Sequence, residues 1–233
     1  VNLFYQPLLS EASYFLDPEE SKHCIRVLRK KVSDAIRLTD GKGFFYDALI
    51  TKADPQKCTF EVQQKFEEPK KNFSIHIAIS PTKNADRIEW FVEKATEIGI
   101  DQITLMECEN TERAFVKIDR LEKVAISAMK QSLKAHVPIL NSLTSFSSLI
   151  DRAKEEIKMI AYVDYSNPDH VKSVAPPEKT YLILIGPEGD FLREELADAE
   201  RMNFKKVSLG KSRLRTETAG IAACHILNLI QKD

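Results

Sequence analysis

The chain has 233 residues, of which 43% are hydrophobic and 30% charged, and a formal net charge of −1. That balance fits one large domain, or a small domain joined to a medium one, and it disfavours a general polyanion binder. No apolar run approaches the ~18 residues of a membrane span, and the start, Val1-Asn2-Leu3-Phe4-Tyr5-Gln6-Pro7, lacks secretory-signal features, so a cytoplasmic address is expected.

Residues 1–72 carry short β patterns. Phe4 and Tyr5 lie in one strand and Ala12–Leu16 in another. Asp17-Pro18-Glu19-Glu20 opens a short helix, with Asp17 as cap, Pro18 at the first helical position and Glu20 returning a hydrogen bond to the cap backbone. Ala35–Thr39, Phe44–Thr51 and Cys58–Phe66 read as strands, the first two joined by the Asp40-Gly41-Lys42-Gly43 turn. Short strands punctuated by turns predict a small barrel. The polar, proline-containing stretch 67–72 reads as a linker to a second domain, 73–233.

Beyond it, strands and helices alternate. Ser74–Ser80 is a strand, and Asn84 caps a helix with Ile88, Phe91, Val92, Ala95 and Ile98 on one face, ended by Gly99. Gln102–Met106 is a strand, and Asp119 starts a long amphipathic helix followed by Pro138. Phe146, Leu149, Ile150, Ala153 and Ile157 mark another helix. Met159–Val163 and Tyr181–Ile185 are apolar strands flanking a loop, 166–179. Leu192–Met202 is helical, Lys205–Leu209 a strand and Thr216–Gln231 a final apolar helix. Such alternation predicts a mostly parallel α/β sheet covered on both faces.

Cys24, Cys58, Cys108 and Cys224 form no CxxC pair and have no histidine at zinc spacing, so reduced, mostly buried thiols and no metal are expected. Two basic clusters stand out in a neutral chain. Lys22, Arg26, Arg29, Lys30, Lys31 and Arg37 surround the single acid Asp34, and Lys205, Lys206, Lys211, Arg213 and Arg215 fall in a stretch with none. Each is either a solvated face or a phosphate-binding surface. Trp90 is expected to border the core or a dimer interface, and His225, in an apolar helix, to be packed.

Ligands of parallel α/β sheets bind beyond the carboxyl ends of the strands. Gly186 and Gly189 follow the strand Tyr181–Ile185, and Gly210 follows Lys205–Leu209. Two glycine-bearing loops at adjacent strand ends predict a pocket lined by backbone. The stretch Lys211-Ser212-Arg213-Leu214-Arg215-Thr216-Glu217-Thr218-Ala219 carries more chemistry than a plain connection needs. The Rossmann fingerprint, the P-loop and the serine nucleophile elbow are absent, which disfavours dinucleotides and nucleoside triphosphates.

At Ile185-Gly186-Pro187-Glu188-Gly189-Asp190-Phe191 and Leu209–Ala219 the chain resembles the ribosomal RNA small subunit methyltransferase E family of SPOUT enzymes. His23-Cys24-Ile25-Arg26-Val27-Leu28-Arg29, Glu93-Lys94-Ala95-Thr96-Glu97-Ile98-Gly99, Thr111-Glu112-Arg113 and Gln131-Ser132 with Pro138 are similar to further motifs of that family, so the resemblance runs nearly end to end. Asp190 stands where a second glycine is usual and Lys134 near a usual arginine, and Lys211 and Leu214 also vary the second loop.

The resemblance implies an N-terminal PUA-like β-barrel, a SPOUT α/β domain with a C-terminal trefoil knot, and a homodimer. It implies S-adenosyl-L-methionine as cofactor and N3 of one uridine in 16S rRNA, near the decoding centre of the small ribosomal subunit, as acceptor. The donor site it implies takes Leu184, Ile185, Gly186, Pro187, Glu188 and Gly189 from the first loop. From the second it takes Leu209, Gly210, Leu214, Arg215, Thr216, Thr218 and Ala219. RNA contacts are expected from Arg26, Arg29, Lys30, Lys31, Arg113 and Arg213.

Uridine N3 must lose its proton to be methylated, and the charge spreads to the flanking carbonyl oxygens. Arg215 is the candidate to stabilise that charge. Glu217 is the weaker candidate to take the proton, against a plain role for an acid in the first turn of a helix. Three other readings stay open: a SPOUT enzyme with another acceptor, a non-catalytic RNA-binding assembly protein, and a nucleotide-dependent metabolic enzyme. Donor binding separates the second of these from an enzyme, and mapping of the modified nucleotide separates the first.

Overall fold

In the computed structural model, which describes residues 2–112, 116–162 and 169–231, the chain divides into two units. One comprises Val1–Lys70 with Ile126–Val137, the other Lys71–Ala125 with Pro138–Asp233. The first unit thus draws in a stretch far beyond the linker expected at 67–72.

In the first unit four strands, β1 (Leu3–Tyr5), β2 (Ala35–Thr39), β3 (Phe44–Lys52) and β4 (Thr59–Glu67), pair in chain order. β1 runs parallel to β2 and the other pairs are antiparallel. Phe4, Leu16, Leu38, Ile50 and Phe60 are buried in its core. The strand expected at Ala12–Leu16 is not formed. A 3-10 turn at Leu9–Glu11 and a left-handed Ala12 (φ 59°) redirect the chain, and only Phe15 bridges to Thr59.

Helix α1 (Pro18–Lys22) is capped as expected, Asp17 accepting from the Glu20 N–H at 2.8 Å. The Glu20 carboxylate, however, pairs with Lys130 instead of returning to the cap. A π-helical turn, His23–Val27, continues the helix.

The second unit holds a six-stranded sheet in which every pair is parallel. Its elements are β5 (Ser74–Ile79), α2 (Ala85–Ile98), β6 (Gln102–Glu107), α3 (Ile118–Gln131), β7 (Ile139–Ser145), α4 (Phe146–Arg152), β8 (Ile157–Ala161), α5 (Val171–Val174), β9 (Thr180–Ile185), α6 (Arg193–Arg201), β10 (Lys205–Val207) and α7 (Thr216–Leu229). Helix α3 runs on into the stretch assigned to the first unit. The strand order is β10-β8-β9-β5-β6-β7.

Alternation along the strands supplies both faces. Ala78, Leu182 and Leu184 join Phe146, Leu149, Phe191, Leu196 and Phe204 in one cluster. Ile75, Ile77, Ile79 and Phe91 are also buried, and α7 packs on α2, β5 and β9. The chain thus returns from the edge strand β10 to the middle of the sheet, in keeping with the expected knotted SPOUT topology.

Three features of this unit differ from the sequence-based expectation. Strand β7 forms where no strand is predicted. The helix read through Ile157 stops at Arg152, because Ala153 turns extended (φ −62°, ψ 121°) and Ile157 begins β8. A short helix, α5, interrupts the loop expected at 166–179. Val163, the expected end of the strand before that loop, lies outside the described residues.

Candidate active site

The carboxyl ends of β8, β9 and β10 open on one cavity of 1080 Å³. The loops after β9 and β10 were expected at adjacent strand ends, but β8 lies between those two strands. Ala161 and Tyr162, at the end of β8, therefore join the wall, as does His170, whose backbone bridges to Ser208.

The loop after β9 is shaped by close packing. A Cβ on Gly186 would lie 2.9 Å from the Phe191 ring, so glycine is what lets that ring fold back under the loop. Asp190 N–H donates to the Pro187 carbonyl at 3.0 Å. The Asn110 side chain donates to the carbonyls of Gly189 (3.3 Å) and Asp190 (3.1 Å). Asp190 itself is left-handed (φ 65°) and its carboxylate accepts from Phe191 N–H at 2.9 Å. It thus holds the conformation a glycine would adopt freely, at a position where aspartate is among the tolerated residues. Glu188 accepts from Lys83 N–H at 3.3 Å through Oε1, while its Oε2 is buried with no partner.

The loop after β10 turns at Gly210 (φ 129°), where the Ser208 hydroxyl bonds both Gly210 N–H and its carbonyl at 3.1 Å. Two cations of the second basic cluster are neutralised, Lys205 by Asp169 (2.9 Å) and Lys206 by Glu200 (2.8 Å). Lys211, Arg213 and Arg215 remain exposed along the cavity wall, without an ion-pair partner among the described residues. Arg215 precedes the first residue of α7.

Of the residues expected at a donor site, Ile185, Gly186, Pro187, Glu188, Leu209, Gly210, Leu214, Arg215, Thr216 and Ala219 line the cavity. Leu184 is buried within β9, and Gly189 and Thr218 are exposed outside the wall. Glu217 is buried and also absent from the wall. Its Oε1 lies 4.0 Å from Nε of Arg87, and its Oε2 has no partner. Arg87, in the first turn of α2, lines the cavity and is not among the residues the sequence singles out. A basic residue near a helix start carries no sequence signal that it faces a site two strands away.

Arg26, Arg29 and Lys31 are exposed on the first unit without an ion-pair partner among the described residues, and Lys30 donates to the Ala35 carbonyl at 3.1 Å. Arg113 lies outside the described residues. His225 is exposed rather than packed, because it falls on the outer side of α7. Trp90 is 44% exposed on α2. The four cysteines are buried and form no disulfide, and burial pushes the Cys108 thiol up. Among the described residues, no group of three or more His, Cys, Asp or Glu could hold a metal ion, and no helix is long and apolar enough to cross a membrane.

A family model described as an RNA methyltransferase domain matches residues 69–228, and one described as an RNA methyltransferase PUA domain matches residues 16–63. The chain is 31% identical over 181 residues to a ribosomal RNA small subunit methyltransferase E of Mesomycoplasma hyopneumoniae, covering 74% of this chain and 77% of that one. A crystal structure of a probable rRNA-methyltransferase from Porphyromonas gingivalis superposes with a TM-score of 0.94 at 43% identity, over 99% of this chain and 98% of that one. A ribosomal RNA small subunit methyltransferase E from Neisseria gonorrhoeae, solved bound to S-adenosyl methionine, superposes with a TM-score of 0.85 at 25% identity, over 99% and 98%.

Proposed function

This chain belongs to the ribosomal RNA small subunit methyltransferase E family, and on that premise we propose that it transfers a methyl group from S-adenosyl-L-methionine to N3 of one uridine of 16S rRNA near the decoding centre. It acts as a cytoplasmic homodimer on the small ribosomal subunit. The observation that carries this reading is the cavity at the ends of β8, β9 and β10, whose wall combines apolar residues such as Ile185, Pro187 and Leu214 with the cations Lys211, Arg213 and Arg215.

The residues present fit the donor. Ile185, Pro187, Leu209, Leu214 and Ala219 offer apolar walls to an adenosine, the two glycine loops bring backbone close, and a buried carboxylate oxygen of Glu188 lacks a donor. When bound, S-adenosylmethionine supplies an electrophilic methyl group. The chain's own residues supply the rest. Arg215, exposed on the wall, donates its guanidinium to the carbonyl oxygens flanking N3 as that nitrogen loses its proton. Glu217 lies behind the wall, which leaves the proton to solvent. Arg213 and Lys211 hold RNA phosphate beside it, and Arg26, Arg29, Lys30 and Lys31 hold RNA on the PUA-like unit. Trp90 and Leu229, exposed on the packed helices α2 and α7, offer apolar surface to the second copy.

The test is single-turnover methylation of small subunits, followed by nucleoside analysis. Wild-type protein is expected to form N3-methyluridine. Arg215→Gln should slow the step about 100-fold, a larger loss than it causes in donor binding, and an unchanged rate would remove Arg215 from the chemistry.

A further inference from the structure

Three charged side chains at this cavity have no part in that chemistry. Arg87 reaches the wall from the first turn of α2, Glu188 from the loop after β9, and Glu217 stands behind, in the first turn of α7. The Glu217 side chain is only 9% exposed, and its Oε1 faces Arg87 Nε at 4.0 Å. Oε2 of Glu217 and Oε2 of Glu188 are both buried without a partner. Buried carboxylate oxygens are ordinarily satisfied, and an orphan in a cavity wall marks a place for a ligand N–H. With its Nε turned to Glu217, Arg87 keeps the two terminal nitrogens of its fork for an acceptor.

A ligand group that carries an ammonium and a carboxylate on one carbon answers both demands. The ammonium supplies the donor that Glu188 lacks, and the carboxylate complements the Arg87 guanidinium. A uracil ring answers neither as well, because it is neutral before it reacts. S-adenosylmethionine ends in such an α-amino acid group. We propose that Arg87 and Glu188 form the subsite for the amino-acid end of the methyl donor, with Glu217 as the positioning residue that aims Arg87. The proposal rests on the donor assignment made above.

Calorimetry with two probes tests it. S-adenosylhomocysteine keeps the amino-acid end, and methylthioadenosine keeps the adenosine and sulfur but lacks that end. Wild-type protein should prefer the first. Arg87→Gln and Glu188→Gln should each weaken S-adenosylhomocysteine about 10- to 100-fold and leave methylthioadenosine unchanged. Glu217→Gln should lower the same preference, and adding it to Arg87→Gln should cost little more, since both act on one interaction. Unchanged S-adenosylhomocysteine binding in both wall variants, or an equal loss for both probes, would overturn the subsite. A wild-type protein that binds neither probe would overturn the donor assignment itself.

Discussion

The hydroxyl of Thr216 donates to the carbonyl of Gly186 at 3.0 Å, tying the first residue of α7 to the loop after β9. The two loops that frame the cavity are therefore one mechanical unit, although 30 residues separate the bonded pair in sequence. Thr216 is buried, so the bond is shielded from water. Thr216→Val keeps the shape and removes the donor, leaving the Gly186 carbonyl unpaired. Urea unfolding should show a loss of about 1–3 kcal/mol, with weaker donor binding by calorimetry. A variant as stable as wild type, with unchanged donor affinity, would dissolve the proposed link.

Gly220 lies inside α7, where alanine is ordinarily better by about 1 kcal/mol. Here a Cβ would fall 2.5 Å from Cε2 of Phe91 and 3.1 Å from Cδ1 of Ile79. Phe91 is fully buried, so its ring can shift only by displacing other core side chains. Gly220→Ala should therefore destabilise by about 1–3 kcal/mol, and adding Phe91→Leu should recover part of the loss. A stabilised Gly220→Ala would mean that α2 and α7 do not approach this closely.

The exposed cations Arg26, Arg29 and Lys31 should act on RNA through phosphate charge. Replacing all three with glutamine should weaken RNA binding and reduce the slope of log affinity against log salt by about 0.7 for each phosphate no longer neutralised. Donor affinity should not change. A weakened complex with an unaltered salt slope would point to interactions other than ion pairing.

At the opposite end of the sheet, His76 Nδ1 pairs with Glu155 Oε1 and His76 Nε2 with Thr104 Oγ1, each at 2.7 Å. Burial alone would raise the Glu155 carboxyl, but the His76 bond and backbone N–H bonds outweigh it and hold the group below its ordinary 4.5. A carboxyl lowered in the folded state contributes stability above its unfolded pKa and loses it as pH falls through the folded one. Glu155→Gln should accordingly lower stability at neutral pH and flatten its fall below about pH 4.5. An acid limb as steep as in wild type would assign that fall to other carboxylates.

Much of this architecture was legible because its signals are local. Asp17, Asn84 and Gly99 terminate helices where their side chains or backbone freedom predict. The all-apolar run Tyr181–Ile185 reads as a strand buried on both faces. What stayed hidden depends on pairing between distant segments. That β8 separates β9 from β10 follows from a three-residue pairing of Lys205–Val207 with Met159–Ala161, which no periodicity records. The same holds for Arg87, whose position at the cavity is set by the packing of α2 on α7. Ile157 continued a helical spacing by coincidence, after the helix had already ended. Asp190 departs from a glycine pattern, and its left-handed backbone (φ 65°) shows that it adopts here a conformation open to glycine.

Whether this chain methylates N3 of a 16S rRNA uridine can be read by mass-spectrometric mapping of 16S rRNA from cells lacking the protein, with and without its return. One N3-methyluridine near the decoding centre should be absent without the protein and restored by the wild-type chain. A 16S rRNA whose methylation is the same in both, or a restored methyl group on a different atom or nucleotide, would rule out N3 methylation of that uridine by this chain.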